Sequence, residues 1–140
     1  MKRQFGEIIG ERQLDRVGSE EQPITVALGK PRKRKDGDWE CPFRITGLGV
    51  QYGYGIDAIQ ALTTAIEGVR VMLERTGKRF SWLKGEPGYT GFDRLIPSSL
   101  GAKFNVRLNL MIDREITKFV NGLERVHQKR RRTVPPREKR

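Results

Sequence analysis

The chain predicts an α+β domain in which a mostly antiparallel sheet of three or four strands packs one face on an amphipathic helix. Three observations carry this. Two period-two runs, Ile24 to Gly29 and Trp39 to Ile45, flank an Asp36-Gly37 turn; an acid-capped helical repeat begins at Asp57; and a second, longer helical repeat begins near Phe104. A length of 140 residues with 36% hydrophobic content suits one such domain with a modest core.

The elements follow in order. Phe5 to Leu14 sets Ile8, Ile9 and Leu14 among polar neighbours, as a first strand does, and the polar run Gly18-Ser19-Glu20-Glu21-Gln22 ends it. From Pro23, the apolar residues Ile24, Val26 and Leu28 alternate with Thr25, Ala27 and Gly29, and Trp39, Cys41, Phe43 and Ile45 share one face of the next strand. A two-residue Asp36-Gly37 turn would pair Leu28 with Ile45, Val26 with Gly47, Lys33 with Glu40 and Lys35 with Asp38. In that register Lys30, Arg32 and Arg34 continue the apolar face opposite Phe43, Cys41 and Trp39, and Pro31 lies opposite Pro42, where ladder bonding is interrupted.

Gly47-Leu48-Gly49 makes a second turn into a short strand, Val50 to Tyr54. Asp57 then caps a helix over 57–76, Gln60 reaches back, and Ile59, Leu62, Ile66, Val69 and Leu73 form the apolar stripe, widened by Ala58, Ala61, Ala65 and Met72; Gly77 stops it. Arg79 to Leu83 reads as a short extended segment, and Glu86-Pro87-Gly88-Tyr89 as a type II turn. From Phe104, Leu108, Ile112, Ile116, Phe119, Val120, Leu123 and Val126 hold a helical repeat for about six turns; Phe104 to Leu110 also alternates like a strand, but length favours the helix. This gives a strand-rich domain over 1–95, a helical extension over 96–130, and a disordered basic tail over 131–140, where Val134-Pro135-Pro136 and the charges have no apolar face to bury.

The formal charge of +11 is concentrated in two places. Lys30, Arg32, Lys33, Arg34 and Lys35 carry five positive charges, the last twelve residues a net six, and the remainder is neutral. Such clusters point to an anionic partner, nucleic acid or an acidic protein. No run approaches the length of apolar sequence that spans a membrane, and Met1 to Gln22 lacks the apolar centre of a secretory signal, so a cytoplasmic location is expected. The single cysteine, Cys41, excludes an internal disulfide and a multi-cysteine metal site.

Catalytic constellations do not stand out. The glycines at 47, 49, 53 and 55 precede a helix but match neither the dinucleotide fingerprint nor a P-loop, and read as turns and strand. Asp36, Asp38 and Glu40 alternate as hard-cation ligands could, yet cross-strand lysines account for two of them, and no metal or cofactor is expected. Cys41, between Trp39 and Phe43, reads as core, and His127, among Arg125, Lys129 and Arg130, as a solvated helix-end residue. Glu86 and Asp93 could in principle form an acid and base pair, although turn carboxylates are ordinarily solvated.

The segment Asp36-Gly37-Asp38-Trp39, Cys41-Pro42-Phe43-Arg44-Ile45 and Tyr52-Gly53-Tyr54-Gly55-Ile56-Asp57-Ala58-Ile59-Gln60-Ala61-Leu62 resembles a small, functionally uncharacterised bacterial domain family, over about residues 8–95 with Trp82 to Phe92 as its later loop. At the level of pattern the same strand, turn, aromatic strand and Asp-capped helix is similar to HicB-like antitoxin domains, a resemblance that implies a partial ribonuclease-H-like fold without its catalysis and a protein partner.

The functional expectation is a non-enzymatic binding module that engages nucleic acid through Lys30, Arg32, Lys33, Arg34, Lys35 and Trp39 of the hairpin and Lys129, Arg130, Arg131, Arg132 and Arg137 of the tail, with Arg34 and Trp39 forming a stacking surface. The rival is an antitoxin-like or immunity-like protein that neutralises a partner, and a small enzyme using Glu86 and Asp93 comes third. A homo-oligomer through the C-terminal helix is a further expectation.

Overall fold

A computed structural model describes residues 4–133. The chain divides into two units, Met1–Leu95 and Ile96–Arg140.

In the first unit four strands make the expected antiparallel sheet: β1 (Ile8–Arg16), β2 (Ile24–Gly29), β4 (Trp39–Ile45) and β5 (Gly49–Gly55). Two-residue strands β3 (Arg32–Lys33) and β6 (Phe80–Ser81) extend it to six. β4 is the hub. Its whole length pairs with β5 on one edge, while the other edge takes β2 opposite its second half and β3 opposite its start; β1 lies beyond β2, and β6 beyond β1. A helix, α1 (Ala58–Arg75), packs on one face, over β4 and β5 above all. Leu14, Val26, Cys41, Phe43, Ile45, Ala65 and Val69 are among the side chains buried between them.

The hairpin between β3 and β4 differs from the expected one. Gly37 takes a positive φ of 96° but Asp36 does not, so the tip is a three-residue loop in which Gly37 N donates to Arg34 O (3.1 Å) and Arg34 N to Asp38 O (2.7 Å). A type I turn followed by a left-handed glycine has this form, and the Asp36 carboxylate reinforces it by accepting from Asp38 N at 3.1 Å. The register therefore slips: Arg32, not Lys33, faces Glu40, and Lys33 faces Trp39. A second irregularity around Pro31 shifts β2 as well, so that Leu28 meets Phe43 and Val26 meets Ile45. A one-residue slip turns side chains to the opposite face. Arg32 and Arg34 accordingly leave the apolar face and join the side of the sheet away from α1.

Helix α1 starts as its sequence requires. Asp57 Oδ1 accepts from Gln60 N at 2.7 Å, while Gln60 Oε1 accepts from Ile56 N at 2.8 Å, one residue before the cap. Its fully buried residues, Ala61, Ala65, Val69 and Leu73, all belong to the expected stripe, with Leu62 and Met72 packed against the core beside them, and Ile59 alone is left well exposed. Glycines explain why the small residues lie deepest. A Cβ on Gly53 would sit 2.2 Å from Ala65 N, one on Gly55 2.5 Å from Ala61 N, and one on Gly68 2.8 Å from the Phe43 ring, so helix and sheet meet backbone to backbone. Gly47 and Gly49 do serve the turn, with φ of 82° and 75°. Gly53 and Gly55 are close-approach residues instead.

After α1, Phe80 to Tyr89 folds into a second hairpin, with Trp82 N donating to Tyr89 O and Gly88 N to Phe80 O, both at 2.9 Å. Gly88 at φ 94° and the bond from Tyr89 N to Glu86 O form the expected turn. Leu83 and Lys84 both adopt left-handed backbone, at φ 54° and 53°.

Among its described residues the second unit contains a 3-10 turn, Ser98–Leu100, and a helix, α2 (Ala102–Thr133). Phe104 to Leu110 is its first part, which settles the strand-like alternation in favour of helix. The 32 residues extend for about 48 Å and bury none of their side chains. Arg131 and Arg132, assigned to the tail from sequence, stand on this helix, and Arg137 lies outside the described residues. Among the described residues no helix is long and apolar enough to cross a membrane.

Candidate nucleic-acid interface

The slipped register builds a polar and aromatic surface on the open face of the sheet, the one away from α1, where Phe5 packs over Gly29, and Ala27, Glu40 and Pro42 are buried while Tyr54 stays exposed. Pairing of β4 with β5 sets Glu40 opposite Tyr54, Pro42 opposite Tyr52 and Arg44 opposite Val50, all on the side away from α1. The Arg32 guanidinium lies 5.9 Å from the Tyr52 ring centroid and that of Arg34 5.2 Å from Tyr54; the two tyrosine rings stack at 6.4 Å and 27°. Arg44 stands 4.9 Å over Phe5, contributed by the segment before β1. These separations fall within the range of cation–π attraction.

Glu40 organises the cations. It is 5% exposed, and its carboxylate accepts from Arg32 Nε at 2.8 Å and lies 3.9 Å from Arg34 Nε. A carboxylate this buried requires charge partners. The reciprocal effect raises the Arg32 pKa above its ordinary value, chiefly through the Glu40 hydrogen bond. Arg32 also donates to Gln4 O at 2.6 Å, and Arg34 pairs with Asp36 at 3.1 Å. Both guanidiniums are thereby held by carboxylates within cation–π range of tyrosine rings. The arrangement fixes these cations beside aromatic rings rather than presenting bare charge.

The expected site residues distribute unevenly. Lys30 is exposed, donates its backbone N–H to Glu7 O at 2.8 Å and pairs with the Glu7 carboxylate at 3.4 Å. Lys33 and Lys35 are exposed at the hairpin end with no ion pair among the described residues. Trp39 does not join Arg34: it is half-buried on the α1 side, packed against the core. The expected Arg34 and Trp39 stack is replaced by Arg34 and Tyr54, because the register slip carries Arg34 to the other face. Lys129, Arg130, Arg131 and Arg132 are exposed on the last turns of α2, where cations complement the helix dipole. Tyr52, Tyr54, Glu40, Arg44 and Phe5 were missed from sequence. Their signal was the alternation of Glu40, Pro42 and Arg44 against Tyr52 and Tyr54, which becomes legible only once the β4–β5 register is known.

Other candidates resolve differently. Glu40 and Asp36 are engaged by arginines, and among the described residues no three acidic, histidine or cysteine side chains gather as a metal site. Cys41 is fully buried, donates toward Gly29 O at 3.3 Å, and burial pushes its thiol up to about 11. His127 is exposed on α2. A cleft of about 550 Å³ opens between the end of α1 and the 88–94 loop, with Leu73 and Phe80 inside and Lys78, Arg79, Asp93 and Arg94 at its rim. Asp93 lines it but Glu86 does not, so the cleft is not built around that carboxylate pair. Arg70 beside it is tied to Glu67 and Glu74, an arrangement that holds the Glu67 carboxyl below its usual range through the Arg70 hydrogen bond.

No curated protein and no solved structure matches the chain. The expected resemblance to HicB-like antitoxin domains is not shown by any match. A family model, described as a domain of unknown function, matches residues 10–94, which run from the third residue of β1 to the loop after β6 and include α1 and every strand that builds the open face. The chain belongs to that family, DUF6968.

Proposed function

We propose that the domain is a non-enzymatic module that binds single-stranded nucleic acid on the open face of its sheet, by stacking bases on Tyr54 and Tyr52 beside the Arg34 and Arg32 guanidiniums. The observation that carries this reading is the Arg34–Tyr54 pair, in which an aromatic ring 47% exposed on an open sheet face is flanked by an ordered arginine. Aromatic platforms of this kind accept any base, because each offers a π-face, and nearby cations track the backbone. Lys33 and Lys35 at the hairpin end, and Lys129 to Arg132 on α2, add phosphate attraction that is independent of sequence. A cytoplasmic setting, in keeping with one free buried cysteine, supplies such ligands.

The test is fluorescence anisotropy with a labelled mixed-sequence single strand and the matching duplex over a range of salt. Tyr54→Ala is expected to weaken single-strand binding roughly tenfold, in line with about 1–3 kcal/mol per stacked base. Replacing Lys33 and Lys35 by alanine should flatten the salt dependence by roughly 0.7 in slope for each phosphate no longer neutralised. Absence of binding at low salt, or binding indifferent to Tyr54, would sink the reading and leave an acidic protein as the ligand of the cationic hairpin.

A further inference from the structure

We infer that α2 is a self-association element: two copies of the chain pair their α2 helices antiparallel over residues 112–130, with the two-fold axis beside Val120 and Gly122. No residue of the helix is fully buried, and Ile112, Ile116, Phe119, Leu123 and Val126 recur at alternating spacings of four and three, each 46% to 69% exposed. That alternation is the heptad seam of a two-helix coiled coil. A chain of this length with such a seam open to water has an apolar face that needs covering.

Charge selects the occupant's orientation. A parallel pair would bring Lys129 to Arg132 of both copies to the same end and set Arg130 against Arg130 in the seam. An antiparallel pair sends these clusters to opposite ends. With Ile116 against Val126 and Phe119 against Leu123, the flanking positions place Glu115 opposite Lys129 of the second copy and Asp113 opposite its His127, twice over by symmetry. Sliding by one heptad sets Asn109 on Val126 and loses the Glu115–Lys129 ion pair and the Asp113–His127 contact. Glu115 is engaged within its own helix only by Lys118, at 2.8 Å with both side chains more than 70% exposed, a contact readily exchanged.

Gly122 points to the same axis. It lies inside a 32-residue helix, where glycine weakens helix formation relative to alanine, and nothing stands within 4 Å of the place a Cβ would occupy. Nothing in α2 itself accounts for it. In the register proposed, Gly122 meets its own copy on one side of the axis, allowing close approach, and Val120 meets its copy on the other. The five seam residues and Val120 would bury on the order of 1,000 Å² in total, the lower end of what a specific interface needs, so the dimer should be reversible.

This inference stands whether or not the sheet binds nucleic acid. The full chain, freed of nucleic acid by nuclease treatment, is followed by sedimentation equilibrium from low to several hundred micromolar; a reversible monomer–dimer equilibrium is expected, and a monomer throughout overturns the inference. Orientation is read from oxidation of two variants. Val120→Cys should give a covalent dimer and Ile116→Cys should not; Ile116→Cys cross-linking as well as or better than Val120→Cys means a parallel pair and overturns it. Buried Cys41 does not compete. Glu115→Lys should weaken the dimer roughly tenfold, and adding Lys129→Glu should restore it; failure of that restoration rejects the register. All four positions are exposed in α2, so none of these changes disturbs a packed core.

Discussion

The two faces of the sheet are made from the same strands and obey opposite rules. Toward α1, β5 presents Gly53 and Gly55 and the helix answers with Ala61 and Ala65, so that backbones almost touch. Away from α1, the intervening Tyr52 and Tyr54 stand among arginines with a buried carboxylate beneath. Along β5 the covered side has no room for a side chain, while the other side carries large side chains that the core does not require. Side chains unnecessary to packing are where binding is expected to reside, and that contrast generates tests in descending size.

The largest effect belongs to the covered face. Gly53→Ala places a methyl 2.2 Å from Ala65 N and 2.6 Å from Ala61 O, backbone atoms that move only with the helix. Overpacking of this kind costs on the order of 3 kcal/mol or more, enough to unfold a small domain substantially. Thermal or denaturant unfolding checks it, and a stability near that of the unaltered chain would mean that α1 does not pack as closely as described. Next comes Glu40, the only charged group buried under the open face among the described residues. Glu40→Ala removes the partner of Arg32 and Arg34; since both arginines retain solvent contact, the cost should be about 2 kcal/mol, below that of a fully buried pair. The same variant should loosen the guanidiniums and reduce nucleic-acid affinity without touching either tyrosine.

Cys41, on the covered face, gives a smaller effect with a defined sign. Burial raises its folded pKa from 9.0 to about 11, so the folded state holds the proton more tightly than the unfolded state does. The contribution is intact below pH 9 and is lost as pH rises from about 9 to 11, by about 1–2 kcal/mol. Unfolding measured across that range should fall more steeply for the unaltered chain than for Cys41→Ala; equal slopes would show that the thiol is not buried.

How much of this was legible in the sequence follows from where the decisive constraints lie. Asp57, Gln60 and Gly77 mark the α1 boundaries by local hydrogen bonding, and Pro87-Gly88 marks its turn, so neighbouring residues were sufficient. The hairpin register was not local in that sense. Asp-Gly supports both a two-residue and a three-residue loop, and only the φ of Asp36 separates them; one residue of slip then moved Arg32 and Arg34 to the other face. For the same reason Arg32 and Arg34 were readable as candidates while Arg44 and the aromatic residues beside them were not. The α1 stripe was legible apart from Ile59, which hydrophobicity placed on it but which is exposed, and its deepest positions fall to Ala61 and Ala65 because the glycines of β5 leave room only for small residues there.

The smallest effect on stability is expected at Tyr54, next in sequence to the position with the largest. Tyr54 is 47% exposed, packs under no helix, and contributes only its contacts with Tyr52 and Arg34, so Tyr54→Ala should alter stability by about 0.5 kcal/mol or less. Its effect on single-strand binding, by contrast, should be roughly tenfold. Adjacent residues that trade stability for binding in this way would separate scaffold from surface along a single strand. If Tyr54→Ala instead destabilises the domain as Gly53→Ala does, the open face is itself a packed surface, and its arginines and tyrosines are structural.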